Sequence, residues 1–133
     1  MMEASASASV RLRRFVNSMH ELSIAMSIVE LAEEESAQRG NAHINAVYLK
    51  LGVLAGVVKD ALLSAWELAC EGSDLAGARL VVEEIPATVY CPVCLGPRSL
   101  ASAQWFACPV CGSPVSQVLQ GRELEVAALE IQE

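Results

Sequence analysis

Apolar residues recur every three or four positions along two segments of the chain. In residues 19–39 they are Leu22, Ala25, Met26, Val29 and Ala32. In residues 58–72 they are Leu62, Leu63, Trp66 and Ala69. This spacing places side chains on one face of an α-helix, and Gly40-Asn41 after the first segment is a favourable helix end. The pattern therefore predicts two amphipathic helices.

Three further segments read as β-strands. Residues 44–51 alternate with a period of two, and residues 78–85 and 122–131 also place apolar side chains on one face. Gly52 and Gly56 mark a loop after the first strand, and Pro86 ends the second. The predicted order is helix, strand, helix, strand, cysteine segment, strand.

That order predicts an α+β fold with two helices packed on a small mixed three-stranded sheet. The expected core comprises Leu22, Met26, Val29, Leu62, Trp66, Val47, Leu49, Leu80 and Val126. The cysteine segment interrupts the sheet, so we expect it to project as an inserted, zinc-ribbon-like lobe. The predicted domains are residues 19–86 with 117–133 for the α+β part, and residues 87–116 for the lobe.

Composition narrows the classes of partner. The chain of 133 residues is 53% hydrophobic and 19% charged, with a net charge of −7, and no apolar run is long enough to span a membrane. Residues 1–18 carry a net charge of +2, so the rest of the chain carries −9. The acidic character of residues 19–133 argues against nucleic-acid binding, which depends on Lys and Arg contacts to phosphate. It is compatible with a cation or a basic partner.

Residues 1–18 differ in composition from the rest of the chain. They are rich in Ala, Ser and Arg and contain no apolar segment typical of a secretory signal. A transit peptide has a similar composition, but this segment is short and lacks a clear amphipathic period. We interpret it as an upstream start codon or an expression remnant, either not native or disordered, and exclude it from the fold prediction.

The cysteine segment contains two Cys-x-x-Cys turns formed by Cys91, Cys94, Cys108 and Cys111. Two residues between cysteines let both thiolates of a turn face one ion, and Gly112 tolerates the positive φ that such a turn needs. The odd total of five cysteines and the paired spacing favour metal binding in a reducing compartment over disulfides. Four thiolates are the ligand set of a structural Zn²⁺ site.

Other interpretations of the segment remain open. Iron at the same thiolates would make a rubredoxin-like electron carrier, and we expect a small apolar shell around the site, formed by Val93, Trp105, Phe106 and Val110. A zinc ribbon that binds only proteins is a further alternative. Nucleic-acid binding has little electrostatic support, because Arg98 is the only base between the two turns. The fifth cysteine, Cys70, reads as a small buried hydrophobe.

Met19-His20-Glu21 opens the first predicted helix and has two interpretations. With Ser18, Glu21 forms the pattern of a capping box, in which His20 is only a polar residue of the first turn. Alternatively, if Met19 is the first residue, its amine, the first backbone amides and the His20 imidazole lie within chelating reach of one another. Such nitrogen-rich ligand sets suit Ni²⁺ or Cu²⁺. The other histidine, His43, reads as a solvated loop residue.

Four stretches carry a resemblance to a known family: "MHELSIAMSIVELAEEES", "INAVYLKLGVLAGV", "SAWELACEGSDLAGARLVVEEIPATVYCPVC" and "CPVCGS". From residue 19 to residue 133, the chain resembles the HypA/HybF family of hydrogenase nickel-insertion proteins. The combination of a Met-His-Glu start with a four-cysteine insert before a final strand is more specific than either motif alone.

The resemblance implies a nickel metallochaperone that delivers Ni²⁺ to the large subunit of [NiFe]-hydrogenase with a HypB-type GTPase, and in some members also serves urease maturation. We expect no catalysis, because the sequence shows no nucleophile–base pairing or phosphate loop and a four-thiolate zinc has no open position for water. We also expect a cytoplasmic location and a monomer or weak dimer. By position, Met19, His20 and Glu21 are the implied nickel ligands, and Cys91, Cys94, Cys108 and Cys111 the implied zinc ligands. The chain departs from the family at Val53 and Val58, where many relatives have acidic residues.

Overall fold

The computed structural model describes residues 3–6, 10–11 and 20–132. Its elements in chain order are β1 (Glu3–Ala6), β2 (Val10–Arg11), α1 (Glu21–Gln38), β3 (His43–Gly52), α2 (Lys59–Cys70), β4 (Arg79–Ile85), β5 (Thr88–Cys91), β6 (Gly96–Ser99), β7 (Gln117–Gln120) and β8 (Leu124–Gln132). The predicted helices and strands all form, and their ends lie within about two residues of the predicted ones.

The main sheet has β3 at its centre. β3 pairs with β4 in parallel and with β8 antiparallel, and α2 provides the crossover that a parallel pair requires. The predicted mixed three-stranded sheet is therefore confirmed. On the other side of β8, the short strands β1 and β2 pair antiparallel with it and widen the sheet. Both belong to the N-terminal extension, whose native status stays a prediction.

Both helices bury apolar side chains in one cluster with the main sheet. The helical members are Ile24, Ala25, Ile28, Val29, Ala32, Leu62, Trp66 and Cys70. Inside this cluster, the indole Nε1–H of Trp66 donates to the carbonyl oxygen of Ala78 at 2.9 Å, so its polar atom is satisfied where it is buried. The prediction that Cys70 is a small buried hydrophobe is confirmed.

The predicted inward face of α1 is partly wrong. Leu22 and Met26 are 37% and 52% exposed, whereas Ile24 and Ile28 are almost completely buried. The predicted apolar series and the buried one overlap along this helix: they share Ala25, Val29 and Ala32, and they differ in Leu22 and Met26 against Ile24 and Ile28. Each residue turns the helix by about 100°, so the choice between the series depends on the contacts with the sheet and α2.

The first helix ends where the sequence predicted. The last helical residue is Gln38, and Gly40 and Asn41 both adopt a left-handed conformation, with φ of 71° and 60°. The backbone N–H of Asn41 donates to the carbonyl oxygen of Ser36 at 2.8 Å. One of the unpaired carbonyls at the helix end is thereby satisfied before the chain turns into β3.

A second, smaller sheet carries the cysteines. β5 lies at its centre and pairs antiparallel with both β6 and β7. We call residues 87–121 the cysteine lobe, and the rest of the described chain from residue 20 onward the helix–sheet body. The domain boundaries predicted from the sequence stay a prediction.

The chain enters and leaves the cysteine lobe at one place, which we call the neck: Gly52, Pro86, Ala87, Gln120 and Gly121. The side-chain amide Nε2 of Gln120 donates to the carbonyl oxygen of Pro86 at 3.1 Å. A Cβ on Gly121 would lie 2.8 Å from the Cα of Ala87, and a Cβ on Gly52 would overlap the carbonyl oxygen of Gly121. The backbone segments at Gly52, Ala87 and Gly121 therefore lie so close together that only glycine, which has no side chain, fits at Gly52 and Gly121.

Candidate metal centre

The four sulfurs of the Cys-x-x-Cys turns come together in the cysteine lobe. Their Sγ atoms all lie within 4.8 Å of one another, with 3.5 Å between Cys91 and Cys111 and 3.9 Å between Cys94 and Cys108. A tetrahedral site with Zn–S distances of about 2.3 Å requires its sulfurs to be about 3.8 Å apart. The arrangement therefore fits one four-thiolate ion.

Each turn directs backbone N–H groups at its first sulfur. The N–H of Cys94 donates to Cys91 Sγ at 3.3 Å, and the N–H groups of Val110 and Cys111 donate to Cys108 Sγ at 3.4 and 3.5 Å. Hydrogen bonds of this kind stabilise the thiolate over the thiol. The turns are thus built to present ionised sulfur, the form that binds metal.

The two turns share one backbone form. In each, the N–H of the residue four positions after the first cysteine donates to that cysteine's carbonyl oxygen: Leu95 to Cys91 at 2.9 Å, and Gly112 to Cys108 at 2.8 Å. Both residues have positive φ, 59° at Leu95 and 75° at Gly112. Glycine adopts this conformation without strain, as predicted for Gly112, whereas a leucine occupies it at a cost. The strained position is one that sequence reasoning missed.

The thiols differ in how readily they ionise. Hydrogen bonds from Ser113 lower the pKa of Cys111 to about 6, and the backbone N–H of Cys111 lowers the pKa of Cys108. The neighbouring Cys111 and burial raise the pKa of Cys94 to about 11. Thiols this close cannot all be ionised without a cation between them, because like charges repel. The donor set itself therefore fits a cation that binds all four sulfurs.

The apolar shell expected around this site is wrong. Val93, Trp105 and Val110 are 64 to 71% exposed, and Phe106 is 40% exposed. The side chains packed around the buried sulfurs are instead Val89 and Val115, with Leu100 and Val118 partly buried beside them. The shell therefore comes from strands β5 and β7 and from the segments that flank β6 and β7, while Val93 and Val110 in the two turns face solvent.

The predicted nickel segment lies at the start of α1. Met19 and Ser18 lie outside the described residues. His20 is the exposed residue that precedes the helix, in an extended conformation, and its side chain makes no capping hydrogen bond. Its carbonyl oxygen accepts the first helical hydrogen bond from the N–H of Ile24 at 3.2 Å. The imidazole is thus held at the surface by a fixed backbone.

Glu21 connects the two helices. Its carboxylate oxygen Oε2 accepts a hydrogen bond from the backbone N–H of Val58 at 3.2 Å, at the position immediately before α2. A helix N-terminus has unpaired N–H groups and a partial positive charge, so a carboxylate is stabilised there. Sequence reasoning did not find this contact, because nothing in the local pattern of α1 indicates where α2 begins in space.

Within the described residues, His20 and Glu21 do not belong to a cluster of three or more potential ligand side chains. In the part of the chain from residue 20 to residue 132, the four cysteines are the only group of at least three His, Cys, Asp and Glu side chains close enough to share an ion. Val53 and Val58, noted as departures from the family pattern, are 47% and 63% exposed. In the part of the chain that the structure describes, neither α1 nor α2 is long and apolar enough to cross a membrane.

Comparisons with known proteins agree on one family. A sequence profile described as "Hydrogenase/urease nickel incorporation, metallochaperone, hypA" matches residues 19–131. The hydrogenase maturation factor HypA of Chloroflexus aggregans is 51% identical over 112 residues, which cover 84% of this chain and 98% of that protein. The same factor from a Roseiflexus species is 48% identical over 115 residues, covering 86% and 94%.

Solved structures give the same answer for the fold. The solution structure of the Ni metallochaperone HypA from Helicobacter pylori matches with a TM-score of 0.57 and 26% identity, over 85% of this chain and 97% of that one. A second solution structure of a HypA protein matches with a TM-score of 0.60 and 29% identity, over 86% and 98%. These matches support the α+β architecture with its cysteine lobe.

Proposed function

This chain belongs to the HypA family of hydrogenase and urease nickel-incorporation metallochaperones, and from that premise we propose that it binds Ni²⁺ at Met19-His20-Glu21 and delivers it for the maturation of [NiFe]-hydrogenase. The proposal includes a structural Zn²⁺ at Cys91, Cys94, Cys108 and Cys111. Nickel is cargo here and zinc is resident. The curated relatives are named as hydrogenase maturation factors, which favours this function over a rubredoxin-like electron carrier.

The placement of His20 is the observation that carries the nickel site. Its side chain is exposed and is not used to cap α1, and Glu21 follows it in the chain. A neutral imidazole nitrogen binds Ni²⁺ readily, and a binding site near the end of a chain exchanges its metal easily because few contacts have to be broken. A carboxylate has more acceptor sites than the one that the Val58 N–H uses. Glu21 can therefore also bind the metal itself, or accept a hydrogen bond from a group that binds it.

The four cysteines have a different role in the proposal. When Zn²⁺ is bound, it supplies four strong bonds to the lobe and has no open position for substrate. The chain's part is to supply preformed thiolates and to keep two of them, on Cys91 and Cys108, away from water. A site of this kind stabilises the fold and does not catalyse, in keeping with a maturation factor.

The proposed partners are a HypB-type GTPase and the large subunit of a [NiFe]-hydrogenase, with urease maturation proteins in organisms that have urease. We place the protein in the cytoplasm, where thiols stay reduced. No role in nucleic-acid or membrane binding is proposed. The acidic surface of the chain, with its net charge of −7, is compatible with transfer of a cation and with basic partner surfaces.

The two histidines of the chain allow a matched test of the nickel site. Zinc-loaded wild type, His20→Ala and His43→Ala are titrated with Ni²⁺ by calorimetry. His43 is also exposed, but it begins β3. We expect His20→Ala to weaken nickel binding at least tenfold and His43→Ala to leave it unchanged. Equal nickel binding by wild type and His20→Ala would contradict the proposal.

A second titration addresses the chain's amino terminus. A form beginning at Met19 is compared with the form that retains residues 1–18, each loaded with zinc. Tighter nickel binding by the shorter form identifies the free amine of Met19 as a ligand. If neither form binds nickel while the cysteines retain zinc, the zinc-ribbon adaptor takes the place of the metallochaperone. A redox-sensitive visible spectrum from bound iron would instead favour the electron carrier.

A further inference from the structure

The cysteine lobe contains one charged side chain besides its cysteines. Between Ala87 and Gly121 the sequence has no Asp, Glu, Lys or His, and Arg98 is its only arginine. Four thiolates and one divalent cation carry a formal net charge of −2. A positive group near such a centre is stabilised by it, and also stabilises it, much more than the same pair would in bulk water.

The pairing of β5 and β6 places Arg98 on the face of the cysteine cluster. Arg98 lies directly opposite Val89, and Gly96 lies opposite Cys91. Directly opposed residues of an antiparallel pair project from the same face of the sheet. Val89 is completely buried and belongs to the cluster that contains Cys91 and Cys108. The Arg98 side chain therefore leaves β6 toward the sulfurs.

The guanidinium group has a donor that nothing in the described chain satisfies. The Nε of Arg98 is buried without a hydrogen-bond partner, whereas its Nη1 donates to the carbonyl oxygen of Pro97 at 2.8 Å. Leaving a buried donor unpaired is costly, particularly on a charged group. Guanidinium N–H groups form a rigid planar fork, so the position of Nη1 also fixes the direction of Nε.

Cys91 lies on the same face of the small sheet as Arg98, so the sulfur cluster is on this side. The nearby Cys94 thiol, and to a smaller extent the charge of Cys108, raise the pKa of Arg98. A thiolate bound to a metal still has lone pairs that accept N–H groups, and a charge-assisted hydrogen bond is about twice as strong as a neutral one. The Arg98 side chain also passes close to Gly96, opposite Cys91: Arg98 Nη1 lies 3.6 Å from the position that a Cβ on Gly96 would take.

We propose that Arg98 is a functional part of the metal centre, donating N–H···S hydrogen bonds to the ligand thiolates when the site is loaded and offsetting half of the −2 charge of the loaded site. Arg98 is a positioning residue and not a ligand, because a guanidinium has no lone pair to offer a metal. Its effect is to keep the thiolate lone pairs engaged and so to slow the loss of the ion. The inference rests on the metal site in the proposed function.

The test compares the release of metal from zinc-loaded full-length variants. Arg98→Gln removes the charge and the planar fork, and Arg39→Gln is the matched control, because Arg39 is an exposed arginine that pairs with Glu35 on α1, away from the cysteine lobe. The rate of zinc transfer to an excess of a chromogenic chelator is measured for each. Loss of a partner that orients a metal ligand typically weakens metal binding 10- to 100-fold. We expect release from Arg98→Gln to be at least tenfold faster than from wild type, with Arg39→Gln unchanged.

A spectroscopic readout separates hydrogen bonding to sulfur from general stability. In Co²⁺-substituted protein, the thiolate-to-metal charge-transfer band reports the energy of the sulfur lone pairs. Removing N–H···S hydrogen bonds raises that energy, so the band of Arg98→Gln moves to lower energy than in wild type and Arg39→Gln. An unchanged band, or a wild-type rate of zinc release, overturns the proposal.

A third variant covers the case in which Arg98→Gln cannot be loaded. Arg98→Lys keeps the charge and the aliphatic stem but not the fork, and it should release zinc severalfold faster than wild type. A wild-type rate for this variant overturns the proposal. If wild type itself binds neither zinc nor cobalt at the cysteines, the inference and the zinc site fall together. A failure of nickel binding at His20 leaves the inference intact, since that is measured in a separate titration.

Discussion

The helix–sheet body and the cysteine lobe are held together by different means. The body buries twenty hydrophobic residues in one cluster, each large side chain contributing about 1.5–3 kcal/mol. The buried cluster of the lobe has four members, and two of them are cysteines. A folding unit as small as residues 87–121 rarely folds through apolar burial alone and usually needs a disulfide or a metal. The body is therefore stable through its core, and the lobe depends on the ion that we propose at its sulfurs.

Removal of a zinc ligand should destabilise the protein more than any other substitution considered, and the unfolding should be confined to the cysteine lobe. Cys108→Ser removes a buried ligand, and structural Zn²⁺ contributes roughly 10–16 kcal/mol to small zinc domains. We expect zinc content to fall to background and the amide NMR signals of β5, β6 and β7 to collapse to unfolded positions. The signals of β3, β4 and β8 should remain dispersed.

The fifth cysteine is the control for that prediction. Cys70 lies in the core of the body, where burial raises the pKa of its thiol to about 11. Cys70→Ser should retain one zinc per chain and weaken the body instead, because it buries a hydroxyl. If Cys108→Ser unfolds both regions together, the two are not independent and the comparison fails.

A substitution in the core of the helix–sheet body should destabilise that body and leave zinc bound to the lobe. The loss of stability should be smaller than the loss caused by Cys108→Ser. Leu62 on α2 is fully buried, so Leu62→Ala should lower the free energy of unfolding by about 2–5 kcal/mol. Leu68→Ala, on the same helix at a residue that is 57% exposed, should change it by less than about 0.5 kcal/mol. Urea denaturation followed by far-UV circular dichroism measures both. Zinc content should stay at wild-type level in each variant, and its loss in Leu62→Ala would contradict the separation.

The smallest of the three effects should involve both regions. Gly52→Ala introduces a Cβ against the backbone of Gly121, so the neck has to shift, at a cost of about 1–3 kcal/mol. Gly96→Ala is the control, because its Cβ would make only an ordinary contact at 3.6 Å. We expect amide shifts on both sides of the neck in Gly52→Ala and only local shifts in Gly96→Ala. Changes restricted to the body in Gly52→Ala would show that the neck does not connect the two regions.

Patterns within one element were predicted well from the sequence. Alternation in residues 44–51 located β3, and helical spacing located α1 and α2, because both depend on which side chains share a face. The two Cys-x-x-Cys turns identified the four sulfurs that the structure brings together, because the spacing within a turn fixes the local geometry. The identity of the ions at the two sites stays a prediction.

Contacts between elements could not be predicted in the same way. The exposed positions of Leu22 and Met26 depend on how α1 rotates against its neighbours, which its own pattern leaves open. The bond from Val58 to Glu21 joins residues that are distant in the chain. Arg98 appeared only as a lone basic residue in the sequence, and its direction depends on the register between β5 and β6.

The contact of Ala87 with Gly121 makes residues 88–120 a loop that is closed at its base. The entropic cost of closing a flexible loop of a few tens of residues is on the order of 3 kcal/mol, and doubling its length adds only about 0.6 kcal/mol. The backbone N–H of Leu54 also donates to the carbonyl oxygen of Gly121 at 2.7 Å, which anchors this closure to the body. The helix–sheet body can therefore accommodate an insert of very different length or content at this point, provided that the two ends of the insert still meet.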